Sequence, residues 1–460
     1  MAAAIALVGT VGALALVPCC LRRGAMPSTR LRWSAARMLS SSSGRAGEYV
    51  DSIDVAAEAL RAGRLVAFPT ETVYGLGAHA FDADAVASIF TVKGRPRSDP
   101  LIVHVASAEA AEALVRLDAT ALELMRRLMD SFWPGPLTLV APACPELPPA
   151  VTAGTGFVGV RLPAHRRAAA LLRAAAVPVA APSANRFGHV SPTRPEHVMD
   201  DLGDHPIYVL RPEPPTAAAA AAAAGGARIC EVGIESTVLK VDGTRRELLL
   251  LRRGGVPEAE LQRWLDATPS SFTLRVQPPK HSAPPPLAPP PGESAAAGGG
   301  APATPGQEAP GMSLTHYAPD LPSFLLAAAD APTPAAAAPS YAVGAAVVLD
   351  YGARLAHLEG VARAYRDLSP SGDACEAAAA VFEALRWAEG RAADGATCVL
   401  LPNVDAPPAA PAARAAAAEH EPALADRLYR AASGERCRVG ADGTLAGDAA
   451  DAVLARASAD

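Results

Sequence analysis

Three short blocks of the chain gather side chains able to grip a small anion: FPTETVYGLG at residues 68–77, KGRPRSDPLIVHV at 93–105 and APSANRFGHVSPT at 181–193. Lys93 and Arg95 flank Gly94, a spacing that lets two cations converge on one polyphosphate. An opposite-charge pair at about 4 Å near a protein surface is worth on the order of 4 kcal/mol, and an arginine can fork onto two oxygens. An isolated basic triplet would be a solvated loop, but Pro96, Pro100 and the apolar LIVHV run fix this one in place. Thr70, Glu71, Thr72 and Tyr74 offer polar groups for a substrate carboxylate, amine or alcohol, and Gly75 and Gly77 permit close backbone approach. A threonine-capped turn fits the same ten residues equally well. Ser183 and Asn185 follow the apolar run VPVAAP. A ligand at the carboxyl end of an α/β strand is a recurring arrangement, and a serine or Asx turn is the plain alternative. Ser191 and Thr193 add further hydroxyls.

Other chemistries are excluded. Gly154 to Gly159 spells GxGxxG, but it follows a proline-rich loop and leads into VRLP, whereas the dinucleotide fingerprint needs a strand before it and a helix after it. There is no GxxxxGK[ST] and no histidine pair at zincin spacing, so His79, His104 and His165 read as structural and no metal ligands are assigned. The seven cysteines are widely spaced, without a CxxC pair, which fits reduced thiols.

These blocks need a scaffold, and the hydrophobic pattern supplies one. Ser52 and Asp54 start a helix to Ala62, Asp82 caps a second with Val86, Ile89 and Phe90 on one face, and Ser107 starts a third. Further helices are expected at 122–132, 165–175, 195–202 and 257–265. Strands are expected at 65–68, 101–105, 137–141, 158–162, 177–181, 207–210, 236–241 and 247–251, with 68–77 as a strand-to-loop turn. Interleaved strands and helices predict an α/β domain, with the alanine run 217–224 as a loop expansion. Residues rich in Pro, Gly and Ala then form a linker, followed by a smaller α/β domain with strands at 341–350 and 398–401 and helices at 375–390 and 423–432.

The chain has 460 residues and a formal net charge of −6, so it is not a basic nucleic-acid coat. Local cation clusters (Lys93, Arg95, Arg97; Arg161, Arg166, Arg167, Arg173) suit a small anionic ligand such as a nucleotide. Residues 1–47 lack Asp and Glu and are rich in Arg and Ser, the composition of an organellar transit peptide for mitochondrion or chloroplast. The run Ala2 to Val17 is short for a membrane span; a signal anchor is the lesser alternative, and no stable membrane association is expected. Starts at Met26 or Met38 would give a cytoplasmic form.

Taken in order, PTETVYGLG, KGRP, PLIVHV, WPGPLTLV, GVRLP, PSAN, SPT, ESTV and LRRGG closely resemble the YrdC-type threonylcarbamoyl-AMP synthase family over about residues 50–266. PGMSLTHYAP and the region after it resemble the long form of that family, which carries a Rossmann-like C-terminal domain. The resemblance implies a twisted mixed sheet with a concave basic face over 50–266, a linker over 267–322 that crosses the cleft, and a C-terminal domain over 323–460. It implies formation of threonylcarbamoyl-AMP and diphosphate from L-threonine, bicarbonate and ATP. The product would serve N6-threonylcarbamoyladenosine modification of tRNA, through a downstream tRNA threonylcarbamoyl transferase. By this resemblance Lys93, Arg95, Ser183, Asn185, Ser191, Arg252 and Tyr317 bind nucleotide, Lys93 and Arg95 being catalytic; Thr70, Arg161 and Ser236 contact threonine. Mg2+ is expected on the phosphates rather than on the protein. The family usually has a proline where Arg253 stands here.

On this reading the threonine amine captures CO2 or bicarbonate, and the carbamate attacks the α-phosphorus of ATP. Positioning and charge stabilisation carry such a step. A carbamoyl transferase of the hydrogenase-maturation type lacks support, because its zinc-finger and acylphosphatase parts are not found in the chain. A non-catalytic double-stranded RNA-binding module is the rival of a different class; it would show steep salt dependence and no ATP turnover, and tRNA contact stays open. A regulatory scaffold is a third, weaker reading.

Overall fold

The computed structural model describes residues 46–213, 229–277, 306–307, 309–310, 316–326, 341–404, 417–439 and 444–446. The expected transit peptide with Met26 and Met38, the alanine run 217–224 and most of the linker lie outside the described residues.

The first part of the chain runs β1 (Glu48–Val50), α1 (Ile53–Arg61), β2 (Val66–Phe68), β3 (Gly75–His79), α2 (Ala83–Lys93), β4 (Ile102–His104), α3 (Ala108–Leu114), α4 (Ala119–Phe132), β5 (Leu137–Pro142) and β6 (Phe157–Arg161). It continues α5 (Arg166–Ala175), β7 (Val179–Ala180), α6 (Pro195–Leu202), β8 (Tyr208–Leu210), β9 (Thr237–Asp242), β10 (Glu247–Arg252), α7 (Glu258–Ala267) and β11 (Thr273–Val276). Local chemistry sets the helix starts. Ser52 accepts from the Val55 amide at 3.3 Å, Asp82 from Asp84 and Ala85, Ser107 from Ala110 and Asp118 from Ala121. Each bond satisfies an amide that the helix itself leaves unpaired.

The strands form one 11-stranded mixed sheet in the order β1-β8-β2-β3-β7-β4-β6-β5-β9-β10-β11. Strands β4 and β6 run parallel, with His104 opposite Arg161, so both side chains emerge at the same carboxyl edge. The second half of block 68–77 is a strand rather than a loop, because Gly75–Gly77 pair antiparallel with Val66–Phe68. The GxGxxG run is a glycine turn (Gly154 φ 72°, Gly156 φ 78°) entering β6, so no helix follows it.

The second part builds a 7-stranded sheet from β12 (Ser323–Leu326), β13 (Tyr341–Ala342), β14 (Ala346–Asp350), β15 (Ala364–Asp367), β16 (Cys398–Leu401), β17 (Arg436–Val439) and β18 (Thr444–Ala446), with α8 (Ala374–Gly390) and α9 (Glu421–Ala431). Strands β17, β12, β16, β14 and β15 pair in parallel, as a Rossmann-like layer requires. The single strand expected over 341–350 is two. A 3-10 turn at Val343–Ala345 divides them, and β13 pairs with β18 while β14 joins the parallel layer. Val73, Val190, Ile234 and Tyr317 pack into the same buried cluster as Phe382, Leu385, Leu424 and Leu428, so the two sheets share apolar core. Among the described residues no helix is long and apolar enough to cross a membrane.

Candidate nucleotide and amino-acid site

Lys93 closes α2, where a cation is favoured by the helix dipole. Gly94 follows in the left-handed region at φ 63°, a conformation glycine adopts without steric cost. The resulting reversal turns both Lys93 and Arg95 inward, and both are buried. Lys93 Nζ donates to the carbonyl of Ser183 at 2.7 Å and to that of Asn185. Arg95 donates to the carbonyls of Asp99 at 3.2 Å and Pro100 at 2.8 Å and pairs with the Asp99 carboxylate at 3.0 Å. Burial, and then the neighbouring Arg95, pull the Lys93 pKa well below that of a free lysine. Arg97 is exposed.

Across the sheet, Thr70 Oγ1 accepts from the amides of Thr72 and Val73, so the threonine-capped turn does form. Its oxygen also lies 2.8 Å from Thr72 Oγ1. Arg161 ends β6 and reaches three partners: Thr72 Oγ1 at 3.0 Å, Glu71 Oε1 at 2.6 Å and the Gly135 carbonyl at 3.2 Å. Arg166, Arg167 and Arg173, grouped with it in the sequence, belong to α5 instead, where Arg166 reaches Glu213 and Arg167 the Asp51 carbonyl. His104 is buried and, by burial and then Arg161, pushed down to about 3, so it is a neutral ring at pH 7.

The third wall comes from ESTV and LRRGG. Ser236 Oγ is 2.8 Å from Thr138 Oγ1 and accepts from Arg252 at 3.2 Å. Arg252 also donates to the Ser236 carbonyl at 2.9 Å and to Pro310 of the linker at 3.3 Å. A Cβ at Gly254 would fall 2.4 Å from the Glu235 carbonyl, so the two segments can lie this close only with glycine there. Arg253 causes no disturbance in place of the family's proline. Its side chain turns to Glu258 at 2.9 Å and its carbonyl accepts from Arg427 at 2.8 Å.

Thr70, Arg95, Arg161, Ser183, Ser236 and Arg252 thus line one cavity. Lys93 and Asn185 stand directly behind Ser183. The Asn185 side-chain amide donates to the carbonyls of Arg186 and His189, both at 2.7 Å. Four residues assigned in the sequence do not line the cavity: Lys93 and Asn185, which lie beside Ser183, and Ser191 and Tyr317. Ser191 donates to Glu235 Oε1 at 2.8 Å, and the Tyr317 ring packs against Phe382 and under Arg427. Among the described linker residues, Pro310 and His316 line the cavity. Burial and nearby cations hold His316 neutral, and burial lifts Tyr317 to about 12. Sequence reasoning missed Glu235 and Arg427. Thr72 was visible as a second hydroxyl in the same block, but no spacing rule marks Arg427 as buried while Arg430 forms an ordinary pair with Asp426.

A second charged cluster joins the two sheets. His189 Nδ1 lies 2.9 Å from Asp201 and its Nε2 lies 2.8 Å from Glu389 of α8. Arg386 donates to both oxygens of Asp201 at 3.0 and 2.9 Å, and Arg194 to Glu383 at 2.6 Å. The Ala318 amide donates to the Gly188 carbonyl at 3.0 Å, laying the linker beside the same loop.

Residues 58–254 match the Sua5/YciO/YrdC family, described as telomere recombination, and residues 287–433 match the threonylcarbamoyl-AMP synthase C-terminal domain. The threonylcarbamoyl-AMP synthase of Pyrococcus abyssi is 38% identical over 267 residues, covering 58% of this chain and 65% of that relative, somewhat under two thirds of its length. That of Methylococcus capsulatus is 42% identical over 156 residues, covering 34% of this chain and 82% of the relative. The crystal structure of P. abyssi Sua5 complexed with L-threonine is similar at a TM-score of 0.61 and 28% identity, over 86% of this chain and 99% of that one.

Proposed function

Since this chain belongs to the Sua5/YrdC family of threonylcarbamoyl-AMP synthases, we propose that it makes threonylcarbamoyl-AMP and diphosphate from L-threonine, bicarbonate and ATP. The observation that carries this reading is that Arg95, Arg252 and Ser183 line the same cavity as Thr70, Arg161 and Ser236. Lys93 and Arg95 suit the triphosphate, since each is a buried cation held in a fixed direction by carbonyl oxygens. Arg161 suits a substrate carboxylate because its fork is aligned beforehand by Glu71 and Thr72. Bicarbonate takes up a proton from solvent to give CO2 and water; the threonine ammonium gives its proton to solvent, the free amine adds to CO2, and a second N–H proton leaves to solvent, giving a carbamate. A carbamate oxygen attacks the α-phosphorus, the bond to the bridging oxygen breaks, and diphosphate leaves with the electron pair. Lys93 and Arg95 stabilise the charge that accumulates on phosphorus-bound oxygens. No acid or base of the protein is needed beyond this, which agrees with a neutral His104 and His316.

Among the described residues the one carboxylate lining the cavity is Glu235, and Ser191 and Arg427 engage both of its oxygens. Magnesium therefore enters as part of the Mg–ATP substrate, on the phosphates. The mixed anhydride hydrolyses readily, so the reading includes a downstream tRNA threonylcarbamoyl transferase as consumer. It also includes organellar import through residues 1–47, to be tested by imaging a fluorescent fusion.

The test is to incubate the full chain with ATP, Mg2+, bicarbonate and labelled threonine. Diphosphate release that requires both threonine and bicarbonate supports the reading. Release independent of threonine, or none, overturns it.

A further inference from the structure

Helix α9 buries Ala423, Leu424, Arg427, Leu428 and Ala431 on one stripe. Four of these are ordinary core residues, and the fifth is an arginine with 0% exposure. A buried guanidinium is costly unless its charge and its donors are all met. Here Nε donates to Glu235 Oε2 at 2.9 Å, one terminal nitrogen to the adjacent Asp426 at 2.6 Å and the other to the Arg253 carbonyl at 2.8 Å. The carbon of the guanidinium lies 5.1 Å from the Tyr317 ring centre, over its face.

Three of these four contacts leave the second sheet and end on segments that build the cavity. Glu235 is on the cavity wall and receives the Ser191 hydroxyl on its other oxygen. Arg253 follows Arg252 in the turn. Tyr317 follows His316, which faces the cavity. We propose that Arg427 is a positioning residue through which the C-terminal domain completes the ATP half of the site, a proposal that rests on the synthase reading above. It fixes Glu235, the Arg252 turn and the linker ring together, and it neutralises a carboxylate on the wall of a cavity that must accept a polyanion. Without it Glu235 repels the incoming triphosphate, while on the threonine side Thr70, Thr72 and Arg161 keep their own bonds and Ser236 stays fixed by Thr138.

The experiment compares Arg427→Met, Arg427→Lys and the double variant Glu235→Gln/Arg427→Met with the unaltered full chain. Initial rates are measured against ATP and against threonine, and circular dichroism checks the fold. Arg427→Met is expected to raise KM for ATP about tenfold or more, with KM for threonine within about twofold. The double variant recovers most of that loss because the stranded charge is gone. A merely structural role would move both KM values together, and Glu235→Gln would rescue nothing; either result overturns the proposal. If Arg427→Met does not fold, Arg427→Lys decides. Its charge stays but its shorter fork releases the Arg253 carbonyl, so KM for ATP alone rises, about threefold. An unchanged KM, or a parallel rise in both, defeats the idea. Should the unaltered chain show no threonine-dependent turnover, the synthase reading fails by itself. The same variants are then compared by calorimetric affinity for a non-hydrolysable ATP analogue, where equal affinities overturn the role of Arg427.

Discussion

Two charged regions of this molecule are built from similar side chains and do different things. Beside the cavity Lys93 is held by two carbonyls, and on its wall Arg252 is held by carbonyls and the Ser236 hydroxyl; among the described residues neither forms an ion pair, whereas Arg95 and Arg161 on the same wall are paired with Asp99 and Glu71. In the cluster between the sheets, Arg386 meets Asp201, Arg194 meets Glu383 and His189 lies between Asp201 and Glu389. Neutral acceptors orient a cation without cancelling it. Carboxylates cancel it. The first arrangement leaves positive potential inside a low-dielectric hollow, where an anion gains most. The second is internally balanced and works as a fastening.

This contrast can be broken by exchanging one residue at a time. The largest effect is expected for Lys93→Ala, which should lower the rate of adenylate formation by about a thousandfold or more while the far-ultraviolet spectrum stays that of the parent chain. Full activity in that variant would remove Lys93 from the mechanism. Next comes Arg386→Met. It takes the bidentate arginine from Asp201 and leaves His189 and the Arg186 amide, so the cost falls at or below the roughly 3–5 kcal/mol of removing one partner of a buried pair. Chemical denaturation should show that loss, whereas the rate per folded molecule at low temperature should stay close to that of the parent. An Arg386 variant as stable as the parent would mean that the cluster is decorative.

A smaller effect concerns pH. Burial pulls the His189 pKa down, but hydrogen bonds to Asp201 and Glu389 outweigh it, and the net direction is upward. A raised value in the folded state means that His189 contributes stability below its unfolded pKa and loses it as pH rises through the folded one. Burial raises Asp201, but the bonds from His189 and Arg386 overcome this and leave it lowered, so its contribution is present above the usual carboxylate range and fades in acid. The fastening should therefore be tightest in the window between those limits. The difference in unfolding free energy between the parent and His189→Gln should shrink from pH 6 to pH 9, and a difference that grows over that interval would contradict the assignment. The smallest effect is expected at an exposed pair. Arg126 forks onto Glu112 at 2.8 and 2.7 Å, yet Arg126→Ala should leave the unfolding midpoint unchanged, because solvent and salt screen such pairs.

What could be read from the sequence follows the range of the forces involved. The helix starts at Ser52, Asp82 and Ser107 were legible because a cap is decided within three residues. The strands with dense β-branched or leucine runs, β5, β9 and β10, were legible for a similar reason. Strand β1 was not, since Glu48–Val50 is three residues long and takes its identity from β8, far along the chain. Strand β15 reads AYRD, with no apolar alternation, and is a strand because β14 lies beside it. In the site, Lys93, Arg95, Ser183, Arg161 and Ser236 sit in blocks whose small and polar residues mark them out. Tyr317 was assigned to the nucleotide, but its ring is drawn into the core under Arg427, and His316 takes the cavity. Glu235 and Arg427 were invisible because burial alone makes them informative, and burial is a property of the fold.

The contact between Glu235 and Arg427 joins positions 192 residues apart. As the protein is synthesised, the first sheet emerges and can collapse long before residue 427 leaves the ribosome. Through that interval Glu235 is an acid without its counter-ion, beside a half-finished hollow. On the role proposed for Arg427, a premature stop codon ahead of α9 would leave a product with a recognisable first domain and a weakened hold on nucleotide.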